Sequence, residues 1–236
     1  MNLTGKLYLI PTTLGDTAPL EVLPISIKNV IEMTNEFIVE NEKSARRFIK
    51  QICPKKSQPD LILHPLNKFT DPADIPSFLN SCLAGGIVGL LSEAGCPAIA
   101  DPGADVVKIA HEKNIQVRPL VGPSSILLAM MGSGFNGQNF AFNGYLPIDK
   151  SERKQTIKRL EKLSFDYNQS QVFIETPYRN NKMLEDLSSV LHPQTQICVA
   201  CDITLPTEII LTKTARDWKH TKLDLHKKPT IFIIQK

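Results

Sequence analysis

Two carboxylates stand in a loop with no other charge. Residues 89–103 read GLLSEAGCPAIADPG, and Glu93 and Asp101 are its only charged side chains. An apolar run feeds a loop built on Gly95, Pro97, Pro102 and Gly103, and a helix follows with Pro102 in its first turn. Loops at the carboxyl ends of buried strands are where open α/β sheets bind ligands. With so little charge and a fixed, exposed backbone, this loop suits a neutral or zwitterionic cofactor better than a bare phosphate. Either carboxylate could accept a proton from a hydroxyl substrate. Each also has a structural use, Asp101 as a helix cap and Glu93 as a loop hydrogen-bonder. A third carboxylate, Glu175, ends the apolar run VFIE and stands beside Pro177 and Arg179. In VGPSS (121–125), Ser124 and Ser125 offer hydroxyls to the free amides of a helix whose first turn accepts Pro123.

Several other chemistries lack their residues. The chain has no GxxxxGK[ST], no GxGxxG after its first strand and no GxSxG, which disfavours P-loop, Rossmann dinucleotide and serine-hydrolase sites. Cys198 and Cys201 make one CxxC inside the strand-like QICVACD, where residues three apart point to opposite faces. The five cysteines are scattered and read as reduced core thiols of a cytoplasmic protein, and no metal site is expected.

The elements that must position these groups alternate through the first half. Strands are expected at 7–10, 36–40, 87–91 and 116–120, and helices at 25–33, 43–52, 75–84 and 104–113, with 53–72 mainly loop. Alternation of this kind implies a parallel sheet. The second half changes rhythm. Strands at 140–146, 172–175, 196–201, 208–212 and 230–234 surround helices at 126–131, at 151–163 (opened by Ser151) and up to 191. Two of the last strands follow one another directly, which argues for a mixed sheet with antiparallel pairs. The expected fold is therefore two α/β domains, an N-terminal parallel sheet (1–120) and a C-terminal mixed sheet (121–236).

Composition bounds the rest. Of 236 residues, 42% are hydrophobic and 22% charged, an ordinary globular balance. A net charge of +3 does not by itself identify a nucleic-acid partner. No apolar run reaches membrane-spanning length, and the opening MNLTGKLYLIP reads as a first strand rather than a signal peptide. The helix at 151–163 carries Arg153, Lys154, Lys158, Arg159 and Lys162 opposite Ile157, Leu160 and Leu163. It is a solvated face or, with Arg46, Arg47, Lys55 and Lys56, an RNA-facing patch. Aromatic residues make up 6%, and no stacking cluster is visible in the sequence.

Six segments together carry a family resemblance. LYLIPTTLGD, SEAGCPAIADPG, VGPSS, FNGYLPIDKSERK, FIETPYR and ACDITLPTE occur in this order over nearly the whole chain. They resemble, in sequence and order, motifs of the tetrapyrrole methylase superfamily, and within it the small-subunit ribosomal RNA 2′-O-ribose methyltransferase branch. The resemblance implies S-adenosyl-L-methionine bound in a cleft between two domains, and a homodimer. It places Pro11 and Thr12 at a first cofactor loop, Glu93, Ala94, Gly95 and Ile99 at a second, and Ser124 and Ser125 at a third. It sets Glu175 and Thr176 on the adenosine side and Pro229 and Thr230 toward the adenine.

The chain departs from the branch mainly on the substrate side. The family's AEDTR stands as VENEKSARR (39–47), without its Asp-Thr pair around Glu40–Arg46, and its ARELTK stands as ACDITL (200–205). The implied activity is methylation of a ribosomal RNA ribose hydroxyl, with Glu93, Asp101 and Glu175 as candidate proton acceptors. Two alternatives stay open: a small-molecule acceptor such as a tetrapyrrole, and a dimeric S-adenosylmethionine-binding protein without catalysis.

Overall fold

The computed structural model describes residues 5–236; the reading of the first four residues as the run-in to a strand lies outside them. The chain divides into two compact units, Met1–Ser124 and Ser125–Lys236. The division falls just after the VGPS turn rather than before it.

The first unit runs β1 (Lys6–Ile10), α1 (Pro19–Val22), α2 (Ile25–Met33), β2 (Glu36–Val39), α3 (Glu42–Ile52), β3 (Ile62–Pro65), a 3-10 turn (Ile75–Leu79), α4 (Asn80–Leu83), β4 (Ile87–Leu91), α5 (Gly103–Glu112) and β5 (Gln116–Pro119). Its sheet is parallel throughout, in the order β3-β2-β4-β1-β5. Alternate strand residues face opposite layers. Ile10, Phe37, Val39 and Leu91 pack under α2 and α3, while Leu7, Ile38, Val88 and Leu90 pack under the 3-10 turn and α5. Gly89 sits where a Cβ would lie 2.7 Å from Phe37 and 2.8 Å from Ile10, so only glycine lets those neighbours close over β4. α3 forms because Ala45, Phe48, Ile49 and Ile52 make one apolar stripe. The Asn41 side chain caps it, accepting from the Lys43 and Ser44 amides at 2.9 and 3.2 Å.

The second unit runs α6 (Ser125–Ser133), β6 (Phe140–Tyr145), α7 (Lys150–Tyr167), β7 (Ser170–Ile174), α8 (Asn180–Val190), β8 (Gln196–Cys201), β9 (Ile209–Thr214), α9 (Ala215–Trp218) and β10 (Thr230–Gln235). Its sheet order is β6-β7-β10-β8-β9, with only β6 and β7 parallel. β10 (TIFIIQ) lies centrally, and its near-continuous apolar run fits a strand covered on both faces. Ile157, Leu160, Met183, Leu187 and Trp218 cover Phe173, Val199 and Phe232 from one side.

Two expectations are corrected, for 75–84 and for the start of α7, and three short elements, β3, α1 and α9, were not expected. The stretch 53–72 contains β3, an edge strand ending in Pro65, a position where the missing amide donor costs nothing. The segment 75–84 is a 3-10 turn carrying Pro76 and then one α-turn, not a continuous helix. α1 and α9, four residues each, are too short for periodicity to reveal. α7 is capped by Asp149, which accepts from the Ser151 and Glu152 amides at 2.8 and 2.9 Å, so Ser151 lies inside the helix.

Candidate cofactor and acceptor site

In the first unit β4 is flanked by β2 and β1, whose chains leave to helices on one face of the sheet. β4 itself leaves to α5 on the other. This reversal opens a crevice at the carboxyl ends, the usual ligand position in such sheets. The loops after β1, β4 and β5 interlock there. Thr12 donates its amide to the Gly95 carbonyl at 3.0 Å, and its hydroxyl donates to the Ser92 carbonyl at 3.2 Å. The Ser92 hydroxyl donates to the same Gly95 carbonyl at 2.5 Å. The Cys96 thiol reaches the Pro123 carbonyl at 3.5 Å. A Cβ on Gly122 would fall 2.3 Å from Pro11, so the first and third loops touch through a bare backbone. Gly95, Ala98 and Ala100 adopt left-handed backbone, with φ of 73°, 64° and 59°. Pro11, Thr12, Glu93, Ala94, Gly95, Ile99 and Asp101 are thus brought to one end of one sheet. Ile99 is 55% exposed there. Ser124 ends this unit and Ser125 opens α6 of the other.

Asp101 acts as the sequence suggested for a cap. One carboxylate oxygen accepts from the Ala98 and Gly103 amides at 2.7 and 2.8 Å, fixing both the left-handed run and the start of α5. Burial pushes its carboxyl above the usual range, against the lowering effect of those two amides. Glu93 accepts from the Ser44 hydroxyl at 2.7 Å, tying the loop to the first turn of α3. Glu40, just beyond β2, is held above the usual carboxylate range by burial and by the charges of Asp101 and Glu93. Glu40 and Asp101 line a small recess with Leu66, Leu90 and Gly103. Thr12, Thr13, Asp16, Ser44, Arg47 and Glu93 line a more open one. Sequence reading missed Glu40, Ser44 and Ser92. The signal for Glu40 was present, a carboxylate ending the strand EFIVE, but nothing in the sequence placed that strand beside β4.

In the second unit the end of β7 lies beside the start of β10, since Ile174 pairs with Ile231. Glu175, Thr176, Pro229 and Thr230 therefore share one end of the sheet. Glu175 is buried. One of its oxygens accepts from the Thr176 amide at 2.6 Å and from Arg179 Nε and Nη2 at 3.1 and 2.6 Å. The carboxylate is consumed in shaping the TPYR turn. The Pro229 carbonyl accepts from the Asp202 amide at 3.0 Å, and Thr230 pairs with Cys201.

The basic residues divide. Arg153 is buried, with Nε and Nη2 on Asp186 at 2.9 and 2.7 Å and Nη1 on the Ile148 carbonyl at 2.6 Å. It is a core ion pair and leaves the proposed basic face. Arg46 is bound to the Gln58 carbonyl at 2.6 Å, and Lys56 to the Glu32 carbonyl and to Asn35 at 3.0 and 2.8 Å. Lys154, Lys158, Arg159 and Lys162 stay exposed on α7. Cys198 and Cys201 point to opposite faces, only Cys201 joining the main core cluster of that unit. Among the described residues no three His, Cys, Asp or Glu side chains gather as a metal site. No described helix is long and apolar enough to cross a membrane.

The chemistry of the first-unit loops fits a sulfonium cofactor. No lysine or arginine lies in 92–103 to meet phosphate. Carboxylates in a loop without basic residues suit a cationic sulfur and an ammonium group.

Comparison with known proteins agrees. The family model for tetrapyrrole (corrin/porphyrin) methylases matches residues 6–218. A protein of Leptospira borgpetersenii serovar Hardjo-bovis named ribosomal RNA small subunit methyltransferase I is 31% identical over 210 residues, covering 88% of this chain and 78% of that protein. Its namesake in Buchnera aphidicola subsp. Schizaphis graminum is 28% identical over 99% of this chain and 79% of its own. Among solved structures, the methyltransferase CobJ matches with a TM-score of 0.63 at 16% identity, over 98% of this chain and 94% of that one. Uroporphyrin-III C-methyltransferase from Thermus thermophilus, complexed with S-adenosylhomocysteine, matches with a TM-score of 0.56 at 14% identity, over 98% of each chain.

Proposed function

The chain belongs to the tetrapyrrole (corrin/porphyrin) methylase family, and from that premise we propose that it transfers a methyl group from S-adenosyl-L-methionine to a ribose 2′-hydroxyl of small-subunit ribosomal RNA. It is an S-adenosylmethionine-dependent methyltransferase. The observation that carries the RNA acceptor is near-full-length similarity to proteins named for small-subunit ribosomal RNA methylation. The bound cofactor supplies an electrophilic methyl carbon on a sulfonium. The chain supplies alignment and exclusion of water.

The first-unit loops at Thr12, Gly95 and Gly122 hold the donor, with Ile99 shielding it. A ribose oxygen held in line with that carbon would take the methyl group, leaving S-adenosylhomocysteine, and its hydroxyl proton would pass to a carboxylate of the chain. We assign that proton to the carboxylates gathered at the ends of β2 and β4, Glu40 above all. Its raised affinity for a proton supports the assignment, and no described residue hydrogen-bonds its carboxylate. Glu175, held by Arg179, positions the TPYR turn. A cytoplasmic homodimer completes the reading, and light scattering on the purified chain tests the dimer.

Labelled S-adenosylmethionine should transfer its methyl group to small-subunit ribosomal RNA and not to uroporphyrinogen. Transfer to the tetrapyrrole alone would reassign the acceptor. Tight cofactor binding without transfer to either would mark a binding protein.

A further inference from the structure

α7 carries an exposed stripe that the cofactor site does not use. Lys154, Lys158, Lys162 and Phe165 succeed one another at spacings of four, four and three residues, so they share one face. All four are exposed, and Phe165 stands 68% open to solvent with Tyr167 beside it in sequence at 64%. An aromatic ring left in water at the end of a lysine row has no role in the core, which Ile157, Leu160 and Ser164 fill from the opposite face.

The acids of the helix do not cancel the row. Glu161 turns to the His192 amide at 2.8 Å and to the Thr195 hydroxyl. Glu152 lies near the cap. Asp166 pairs with Lys162 at 2.6 Å, while Lys154 and Lys158 have no ion-pair partner among the described residues.

The placement is also directional. α7 links the parallel strands β6 and β7 and so runs back against both. Its first turn lies at the end of the sheet where Glu175 and Thr176 sit, and Phe165 lies about 16 Å beyond Lys154 along the axis.

We propose that this stripe is the docking track for the RNA acceptor, lysines on phosphates and Phe165 under an unstacked base. The proposal rests on the RNA reading above. A lysine row alone would bind any polyanion; the terminal aromatic is what favours a segment of single-stranded RNA over a duplex or an acidic protein.

The test uses the full chain and a fluorescent fragment of small-subunit ribosomal RNA, titrated at several salt concentrations. Three variants are compared with wild type: Lys154→Glu/Lys158→Glu, Phe165→Ala, and the control Lys219→Glu/Lys222→Glu, which makes the same charge change on exposed residues outside α7. The α7 charge variant should weaken binding and flatten the salt slope by about 1.4–1.8, two phosphate contacts' worth. Phe165→Ala should weaken binding at least about fivefold at unchanged slope. The control should do neither. S-adenosylmethionine affinity, measured by calorimetry, should stay at the wild-type value throughout, which separates docking from misfolding. Equal effects of α7 and control variants, tighter binding of duplex than of single strand, or no RNA binding by wild type would each overturn the track. Methyl transfer to RNA with an inert stripe would overturn the track and leave the RNA reading standing.

Discussion

Glu40 shows how a residue acquires chemistry from its neighbours. EFIVE shows only a carboxylate at a strand end, yet in the fold it emerges between a buried wall and two further carboxylates. Its folded proton affinity lies above its unfolded one. That difference stabilises the protein fully below the ordinary glutamate range and is lost as pH rises through the folded value. Near neutrality the charged form is therefore a burden on the fold. Glu40→Gln should be at least as stable as wild type at about pH 7 and lose that advantage toward about pH 4, while methyl transfer falls. Urea denaturation across this range reads the first effect, and an offset independent of pH would contradict it. The cap role of Asp101 was legible, because an Asp before Pro-Gly and a helix has a local purpose. Glu40 and Ser44 were not legible, because their partners Asp101 and Glu93 lie about fifty or more residues away in sequence.

Caps and contacts between loops set the elements. Asp149, not Ser151, accepts the first free amides of α7. Asp149→Ala should lower the denaturation midpoint measurably and Ser151→Ala should leave it close to wild type. The opposite order would restore Ser151 as the cap. Gly122 lies against Pro11 with no room for a Cβ. Gly122→Ala should force the first and third loops apart, costing about 1–3 kcal/mol. It should also weaken S-adenosylmethionine binding in calorimetry; unchanged binding would detach these loops from the cofactor. Periodicity revealed the long elements, such as α3 and β10. It failed at β3, whose Ile62 is exposed and whose last residue is proline, and at 75–84, where Pro76 sets a tighter turn than an apolar face suggests.

At the scale of the molecule, two rhythms of the chain became two sheets, one parallel and one mixed. The alternation of strands and helices was sufficient for the first. The direct succession of β8 and β9 was sufficient for the second. The strand order, which puts β4 at the reversal and thereby makes the crevice, is a product of packing on both faces and no local pattern encodes it. The collinear motifs carried the cofactor further than local chemistry could, from a neutral or zwitterionic ligand to S-adenosylmethionine. The acceptor is the central claim, and one measurement meets it directly. The chain is incubated with methyl-labelled S-adenosylmethionine and small-subunit ribosomal RNA lacking methylation, and the RNA is digested to nucleosides. The label should appear in a single 2′-O-methylated nucleoside. Label on a base, or none in RNA while the cofactor binds, would contradict the account.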